Sequence, residues 1–334
     1  MRIGSFDTSE RVLVIAEIGN NHEGSVGRAR SLVEEAAAIG VDAVKFQTFR
    51  TEHYVSRSDE ERFQRLERFR LTESEFIELA ELAHRLGVLF ISTAFDLESG
   101  RFLADIADCV KAASADNDFY PLLDVLARTN RPLIVSTGLA DLEQLERTAS
   151  FVESARGTAE NLAFLHCVSS YPVPEDEINL RAIGMLAERF PSWTVGYSDH
   201  TLGMDAAVLS VVAGARIIEK HFTLDKQASD FRDHQLSADP PQLRELLRRI
   251  RAAETLAGRA EKVVQPSEKD GGVALRRSII AARDLRSGQV LADADITWVR
   301  PGGGLPPGEE HLLLNKTLTR DVAAGERLDR SDVR

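Results

Sequence analysis

Eight short apolar, β-prone runs recur along the chain at 12–18, 42–47, 88–93, 109–114, 132–136, 162–168, 193–197 and 216–220. Between them lie longer stretches of helical period, among them 26–39, 73–86, 118–128, 142–155, 180–189 and 241–256. The short runs are almost continuously hydrophobic rather than alternating, which is the pattern of strands covered on both faces. Strict β-α alternation gives a parallel sheet, because two parallel strands need a crossover between them. Eight such units over roughly 250 residues have the size of a closed (β/α)8 barrel. The competing arrangement, an open doubly wound sheet, usually has fewer strands and a glycine-rich first turn. The predicted fold is therefore a (β/α)8 TIM barrel over 1–258.

The pattern changes beyond the last helical stretch. Residues 259–272 are polar, end in Gly271-Gly272 and read as a linker. From 273 to 334 short β-prone pieces are broken by Ser-Gly, Pro-Gly-Gly-Gly and Ala-Gly turns, which predicts a small β-rich domain. A domain of that size is near the lower limit for independent stability.

Charge and cysteine content exclude several classes. The formal net charge is -12, the wrong sign for a nucleic-acid partner. No apolar stretch is long enough to span a membrane, and the first residues lack the basic flank and apolar core of a signal peptide; a cytoplasmic protein is expected. Cys109 and Cys167, the two cysteines, lie in apolar runs and read as buried, reduced thiols rather than a disulfide or zinc framework.

In a parallel barrel the chemistry sits at the carboxyl ends of the strands. Those ends carry Glu17; Lys45 and Gln47; Ser92 and Thr93; Lys111 and Ser114; Ser136 and Thr137; His166 and Ser169; Ser198, Asp199 and His200; Glu219 and His221. All eight runs thus finish in groups that can bond or ionise. Lys45 and Lys111, on the second and fourth strands, would supply a local positive field in an otherwise acidic chain. Thr93, Ser114 and Ser136 add donors beside them. Point charges plus hydroxyls suit a substrate carrying phosphate and carboxylate groups. Two other readings are open: the lysines pair with Glu17 or another carboxylate, or one of them forms a Schiff base with a carbonyl substrate. His200 and His221 end consecutive strands, which lie about 5 Å apart, so two imidazoles can share one ion. Two nitrogens with oxygen groups nearby suit Mn2+ or Mg2+ completed by water and substrate better than a closed zinc site. His22 and His166 could reach a substrate; His53, His84 and His311 read as surface residues.

Taken together, the stretches AEIGNNHEG (16–24), VKFQT (44–48), FIST (90–93), VKAAS (110–114), LIVSTG (133–138), LHCVSSYP (165–172), GYSDHT (196–201), IEKHFT (218–223) and DHQLSADP (233–240) resemble the sialic acid (N-acetylneuraminate) synthase family. RRSIIAARDL, VRPGGG and the glycine-spaced end resemble its antifreeze-like (SAF) domain. The resemblance implies condensation of phosphoenolpyruvate with an N-acyl hexosamine aldehyde to give N-acetylneuraminate or, with another acceptor, legionaminate or pseudaminate. It implies metal ligands at His200 and His221, and phosphoenolpyruvate contacts at Lys45, Thr93, Lys111, Ser114, Ser136 and Ser198. Glu17 falls on the family's active-site carboxylate. Sugar contacts fall on Gln47, Tyr171, Glu219 and Asp233, with Asp116 and Ser169 at positions where some members carry glutamate and asparagine. The resemblance also implies a domain-swapped homodimer in which Arg300 reaches the partner's sugar. A Schiff-base aldolase and a non-catalytic sugar-binding protein are the remaining alternatives; the second would be expected to have lost Glu17, a histidine or a lysine of this set.

Overall fold

A computed structural model of the chain describes residues 1–269 and 271–334. Residue 270, inside the expected linker, lies outside the described residues. The chain divides into two units, Met1–Gly258 and Arg259–Arg334.

The first unit opens with a two-stranded hairpin, β1 (Arg2–Ile3) and β2 (Phe6–Asp7). Eight parallel strands follow: β3 (Leu13–Gly19), β4 (Ala43–Thr48), β5 (Leu89–Ala94), β6 (Cys109–Ala112), β7 (Leu133–Ser136), β8 (Leu162–His166), β9 (Thr194–Asp199) and β10 (Ile217–His221). They pair in sequence order, and β10 pairs back onto β3 to close the barrel. Side chains alternate across each strand. One set, including Val14, Val44, Phe46, Phe90 and Phe164, packs against the surrounding helices in the larger core. The other set fills the barrel. Its lower layers are apolar: Leu13, Ile15, Ala43, Ile91, Cys109, Ile134, Ala163, Leu165 and Ile217. Gly196 belongs to this interior, where a Cβ would stand 2.4 Å from the Ile217 carbonyl and 2.6 Å from Leu165. Any side chain there would push β9 off β10.

The hairpin, which the sequence pattern did not reveal, packs Ile3, Met1 and Phe6 against that apolar interior. Arg216 donates to the Thr8 carbonyl at 2.7 Å, and the Arg2 amide donates to Asn161 at 2.8 Å. With one end filled by hydrocarbon, the polar inward residues are confined to the other end, where the strands finish.

The strand boundaries fall within two residues of expectation. In the fourth run β6 stops at Ala112, and Ser114–Asp116 forms a 3-10 turn instead of strand. The Asp116 amide donates to the Ala113 carbonyl at 3.0 Å, and Asn117 bonds the Ser136 and Gly138 carbonyls at 3.3 and 2.9 Å. Those bonds satisfy the backbone without a strand partner.

In the second unit β11 (Ser278–Ala281) pairs antiparallel with β12 (Ile296–Val299). Ile279, Leu285, Leu291, Leu313, Leu318, Val322 and Leu328 form its core. Much of the rest is held by isolated bridges such as Leu285 with Val322 and Leu318 with Val333. The helix Gly272–Leu275 is tied to this unit by the Gly302 amide donating to the Val273 carbonyl at 2.7 Å. Among the described residues no helix is long and apolar enough to cross a membrane.

Candidate active site

The inward-facing series that begins with leucine and isoleucine ends in ionisable groups. On β3 it runs Leu13, Ile15, Glu17; on β10, Ile217, Glu219, His221. Strand register then decides which of these groups meet. Glu17 stands opposite Lys45 and His221, Thr93 opposite Gln47 and Lys111, and Ser198 opposite Glu219. Together they line a cavity of about 290 Å3 at the carboxyl ends of the strands.

At its base lie four buried charges. Lys111 Nζ donates to both Glu219 oxygens at 2.6 and 2.8 Å, and Ser198 donates to the same carboxylate at 2.9 Å. Lys45 Nζ lies 2.9 Å from Glu17 and 3.6 Å from Glu219, and donates to Thr93 at 3.0 Å. Lys45 and Lys111 are one strand apart, with β5 between them, so Glu219 bridges them from across the barrel. The alternative of pairing with carboxylates is what the structure shows: the ammonium groups face the cavity, but each is already neutralised there. Burial opposes ionisation of Glu219, but the two lysines outweigh it and hold the carboxyl well below its ordinary range. On Glu17 burial prevails, and with the nearby Glu219 charge it raises that carboxyl despite Lys45. Gln47 donates to Glu17 Oε1 at 3.1 Å, while Glu17 Oε2, close to Lys45 but poorly aligned with it, has no hydrogen-bond partner. One carboxylate is thus fixed as an anion, and the other is tuned toward carrying a proton.

The opposite wall holds the two histidines, with ring centroids 5.5 Å apart. His200 Nδ1 donates to the Val168 carbonyl at 2.9 Å, which leaves the lone pair on Nε2. His221 is buried, and its Nδ1 has no partner. Burial, then the neighbouring His200, lowers its pKa well below the ordinary imidazole value, so the ring is neutral as a metal ligand must be. An orphaned ring nitrogen beside a second imidazole with an oriented lone pair fits a divalent cation. No group of three or more potential protein ligands occurs among the described residues, so water or substrate oxygens would complete such a site.

Around the rim, Tyr171 packs on His200 at 4.1 Å between centroids, and the Arg232 guanidinium lies 4.5 Å above the Tyr171 ring. Gln47, Asp233, Ser114, Ser136 and Ser169 complete the expected barrel set. Asp233 is buried, and burial raises its pKa. Asp116 departs from expectation: it is not among the lining residues, because the 3-10 turn carries it away from β6. Glu219, expected on sugar hydroxyls, has its oxygens occupied by Lys111 and Ser198. Arg300 lies exposed in the second unit. His22 is buried and accepts from the Gly24 amide, and His166 is turned to the Ile178 carbonyl; neither lines this cavity. His53, His84 and His311 are exposed, as expected.

Asn20, from the loop after β3, also lines the cavity and donates to Gln47 at 2.8 Å; sequence reasoning missed the aromatic lining by Tyr54, Phe95 and Phe231. It also read Cys167 as inert. The thiol is buried but lines the cavity, with its sulfur 3.7 Å from His200 Nδ1. Its inward parity on the sixth run, two residues beyond Leu165, was the available signal.

This fold and site define a (β/α)8-barrel enzyme with buried paired charges facing a two-imidazole wall. The NeuB family pattern matches residues 32–262, and the SAF domain pattern matches 276–334. An uncharacterised protein of Methanocaldococcus jannaschii is 42% identical, with 93% of this chain and 91% of that protein covered. The N,N'-diacetyllegionaminic acid synthase of Legionella pneumophila is 36% identical, with 96% and 94% covered. The crystal structure of the N-acetylneuraminic acid synthetase of Leptospira borgpetersenii is 31% identical and covers 81% of this chain and 94% of that one, with a TM-score of 0.76. The chain belongs to the NeuB family and is an enzyme of that sialic-acid-synthase class, with a C-terminal SAF domain.

Proposed function

We propose that this enzyme joins carbon 3 of phosphoenolpyruvate to the aldehyde carbon of an open-chain N-acyl amino sugar. Water adds at carbon 2, the carbon–oxygen bond to phosphate breaks, and a sialic-acid-type nonulosonate and inorganic phosphate leave. N-acetylneuraminate is the product expected from the motifs; legionaminate and pseudaminate come from the same chemistry on other acceptors. The observation that carries this reading is the single pocket in which Lys45 and Lys111 face His200 and His221.

Lys45, Lys111, Thr93, Ser114, Ser136 and Ser198 hold the phosphate and carboxylate of phosphoenolpyruvate. Because each ammonium already has a carboxylate, an entering anion requires one of those carboxylates to lose its charge or its contacts. Glu17 is the group tuned for this: burial favours its protonated form, and Oε2, 2.9 Å from Lys45, is the atom placed to hold or pass the proton. Glu219 serves the anion end by keeping both lysines charged and placed. Gln47, Tyr171, Ser169 and Asp233 meet the sugar, and Asp116 is left out of its contacts. His200 and His221 would hold Mn2+ or Mg2+, which when bound polarises the aldehyde oxygen. The family resemblance further supports a cytoplasmic homodimer, in which Arg300 from one copy completes the sugar site of the other.

The test is phosphate release from phosphoenolpyruvate against a panel of N-acyl amino sugars, with and without EDTA. Acceptor-dependent release that chelation abolishes and Mn2+ restores supports the synthase. Chelator-insensitive carbon–carbon bond formation, with borohydride trapping substrate on Lys45 or Lys111, would replace it with a Schiff-base aldolase.

A further inference from the structure

Lys220 is a buried charge that the proposed reaction does not use. It sits on β10 between Glu219 and His221, and because side chains alternate along a strand it points away from the cavity that those two line. Asp199 holds the equivalent place on β9, between Ser198 and His200. The register of the two strands sets Lys220 opposite Asp199. Lys220 Nζ donates to Asp199 Oδ2 at 2.8 Å, and the two side chains are 1% and 0% exposed. Each histidine of the candidate metal site is thus preceded directly by one member of a buried ion pair.

The pair also grips the backbone beyond His200. β9 ends at Asp199, so His200 stands past the last ladder position. The Thr201 amide donates to Asp199 Oδ1 at 2.8 Å, and Lys220 Nζ donates to the Thr201 carbonyl at 2.6 Å. Tyr197 donates its hydroxyl to Asp199 Oδ1 at 3.3 Å. The residues on both sides of His200 are therefore bound to the strand end that carries His221. His221 Nδ1 has no protein partner, so the spacing of the two rings, 5.5 Å between centroids, rests chiefly on the strand ends beneath them. A buried ion pair gives little net stability over apolar residues of the same volume, because desolvation offsets the attraction. What this one adds is position: an apolar side chain in place of Lys220 could fill the space but could not donate to a carboxylate and a carbonyl at once.

We propose that Lys220 and Asp199 are positioning residues: their ion pair fixes the separation of His200 and His221 and so sets the affinity of that site for a divalent cation. Neither side chain touches substrate or cation. Both act through the backbone of the histidine that follows. This inference rests on the metal reading above.

Lys220→Met removes the ammonium and keeps most of the volume, and Lys220→Met/Asp199→Asn removes both charges. Mn2+ binding to the intact chain is measured from the EPR signal of the free ion, with thermal unfolding in EDTA recorded beside it. Losing a contact that orients a metal ligand lowers affinity by about 10–100-fold, so the Kd for Mn2+ should rise at least about tenfold in both variants. In the single variant Tm in EDTA should also fall, because Asp199 is left stranded. In the double variant Tm should return most of the way while the Mn2+ Kd stays raised, a split that a purely structural pair would not produce. The KM for phosphoenolpyruvate at saturating Mn2+ should change less than about twofold, since its contacts are untouched. A double variant whose Mn2+ Kd lies within about twofold of wild type overturns the proposal. A KM for phosphoenolpyruvate raised as far as the Kd would mean general distortion and overturns it as well. If Lys220→Met does not fold, the double variant decides alone. A wild-type chain that binds no Mn2+ refutes the metal reading itself, an outcome distinct from a wild type and a double variant that bind equally well.

Discussion

Replacing Lys111 by methionine removes one ammonium from the base of the site and leaves its carboxylate behind. Lys111 contacts both oxygens of Glu219, and both side chains are almost wholly buried. Breaking a buried pair by deleting one partner costs about 3–5 kcal/mol, because the remaining charge is stranded. Here Ser198 still donates to Glu219 and Lys45 stays 3.6 Å away, so the low end, about 3 kcal/mol, is expected. For a unit of this size that corresponds to a fall in Tm of roughly 6–12 °C. The double variant Lys111→Met/Glu219→Gln removes both charges and should recover most of the loss, while phosphate release stays at least about 100-fold down in both. The pH dependence has a definite sign. In the wild type Glu219 is held below its ordinary value, so its contribution is fully present above the unfolded carboxyl pKa and is lost only as pH falls from there through the lower folded value. Without Lys111 the carboxyl moves up and accepts a proton more readily, so the gap between variant and wild type should narrow from pH 8 to pH 5. Thermal unfolding at both pH values, on single and double variants, decides the matter. A double variant no more stable than the single one, or a gap independent of pH, would refute the stranded-charge account.

Burial, then Asp118, raises Asp116 to about 6, so the fold prefers its protonated form; the penalty of ionising it is absent near pH 4 and complete above about pH 7. Asp116→Asn should therefore stabilise the protein at pH 8 by about 1–2 kcal/mol, discounted for partial exposure, by about half as much at pH 5 and scarcely at pH 3.5, as read by urea unfolding. His221→Ala should abolish metal-stimulated phosphate release with unchanged thermal unfolding in EDTA; residual activity that neither EDTA nor the mutation alters would remove the metal from this site. Arg300→Ala should raise the KM for the sugar severalfold and leave that for phosphoenolpyruvate nearly unchanged. An equal rise in both would contradict a contact confined to the sugar.

The barrel was legible because two-sided burial writes itself as continuous apolar runs, and eight of those alternating with helices leave few alternatives. The site was legible for a related reason. Glu17, Lys45, Lys111 and Glu219 all sit on the inward parity of their strands, two residues beyond a hydrophobic residue that fills the barrel, and His221 follows Glu219 on the same parity. Closure of the sheet then forces them together whatever the loops do. What escaped was anything decided by turns or by the third dimension. The hairpin Arg2–Asp7 has only two residues in each strand, too few to show a period, and is recognisable only once Ile3 has an apolar interior to enter. Asp116 entered the expected set through the family resemblance, but the 3-10 turn that carries it leaves it outside the residues that line the cavity. The charge state of the cradle also lay beyond the sequence. Counting lysines at strand ends suggested a positive field, yet Glu219 reaches Lys111 across the barrel from a strand 108 residues away. That pairing makes the empty pocket nearly neutral, which keeps two ammonium groups in place without leaving uncompensated charge in a dry interior. It also means that binding an anion and shifting the proton on Glu17 are linked events: the substrate's charge can be accommodated only as a carboxylate gives up its own.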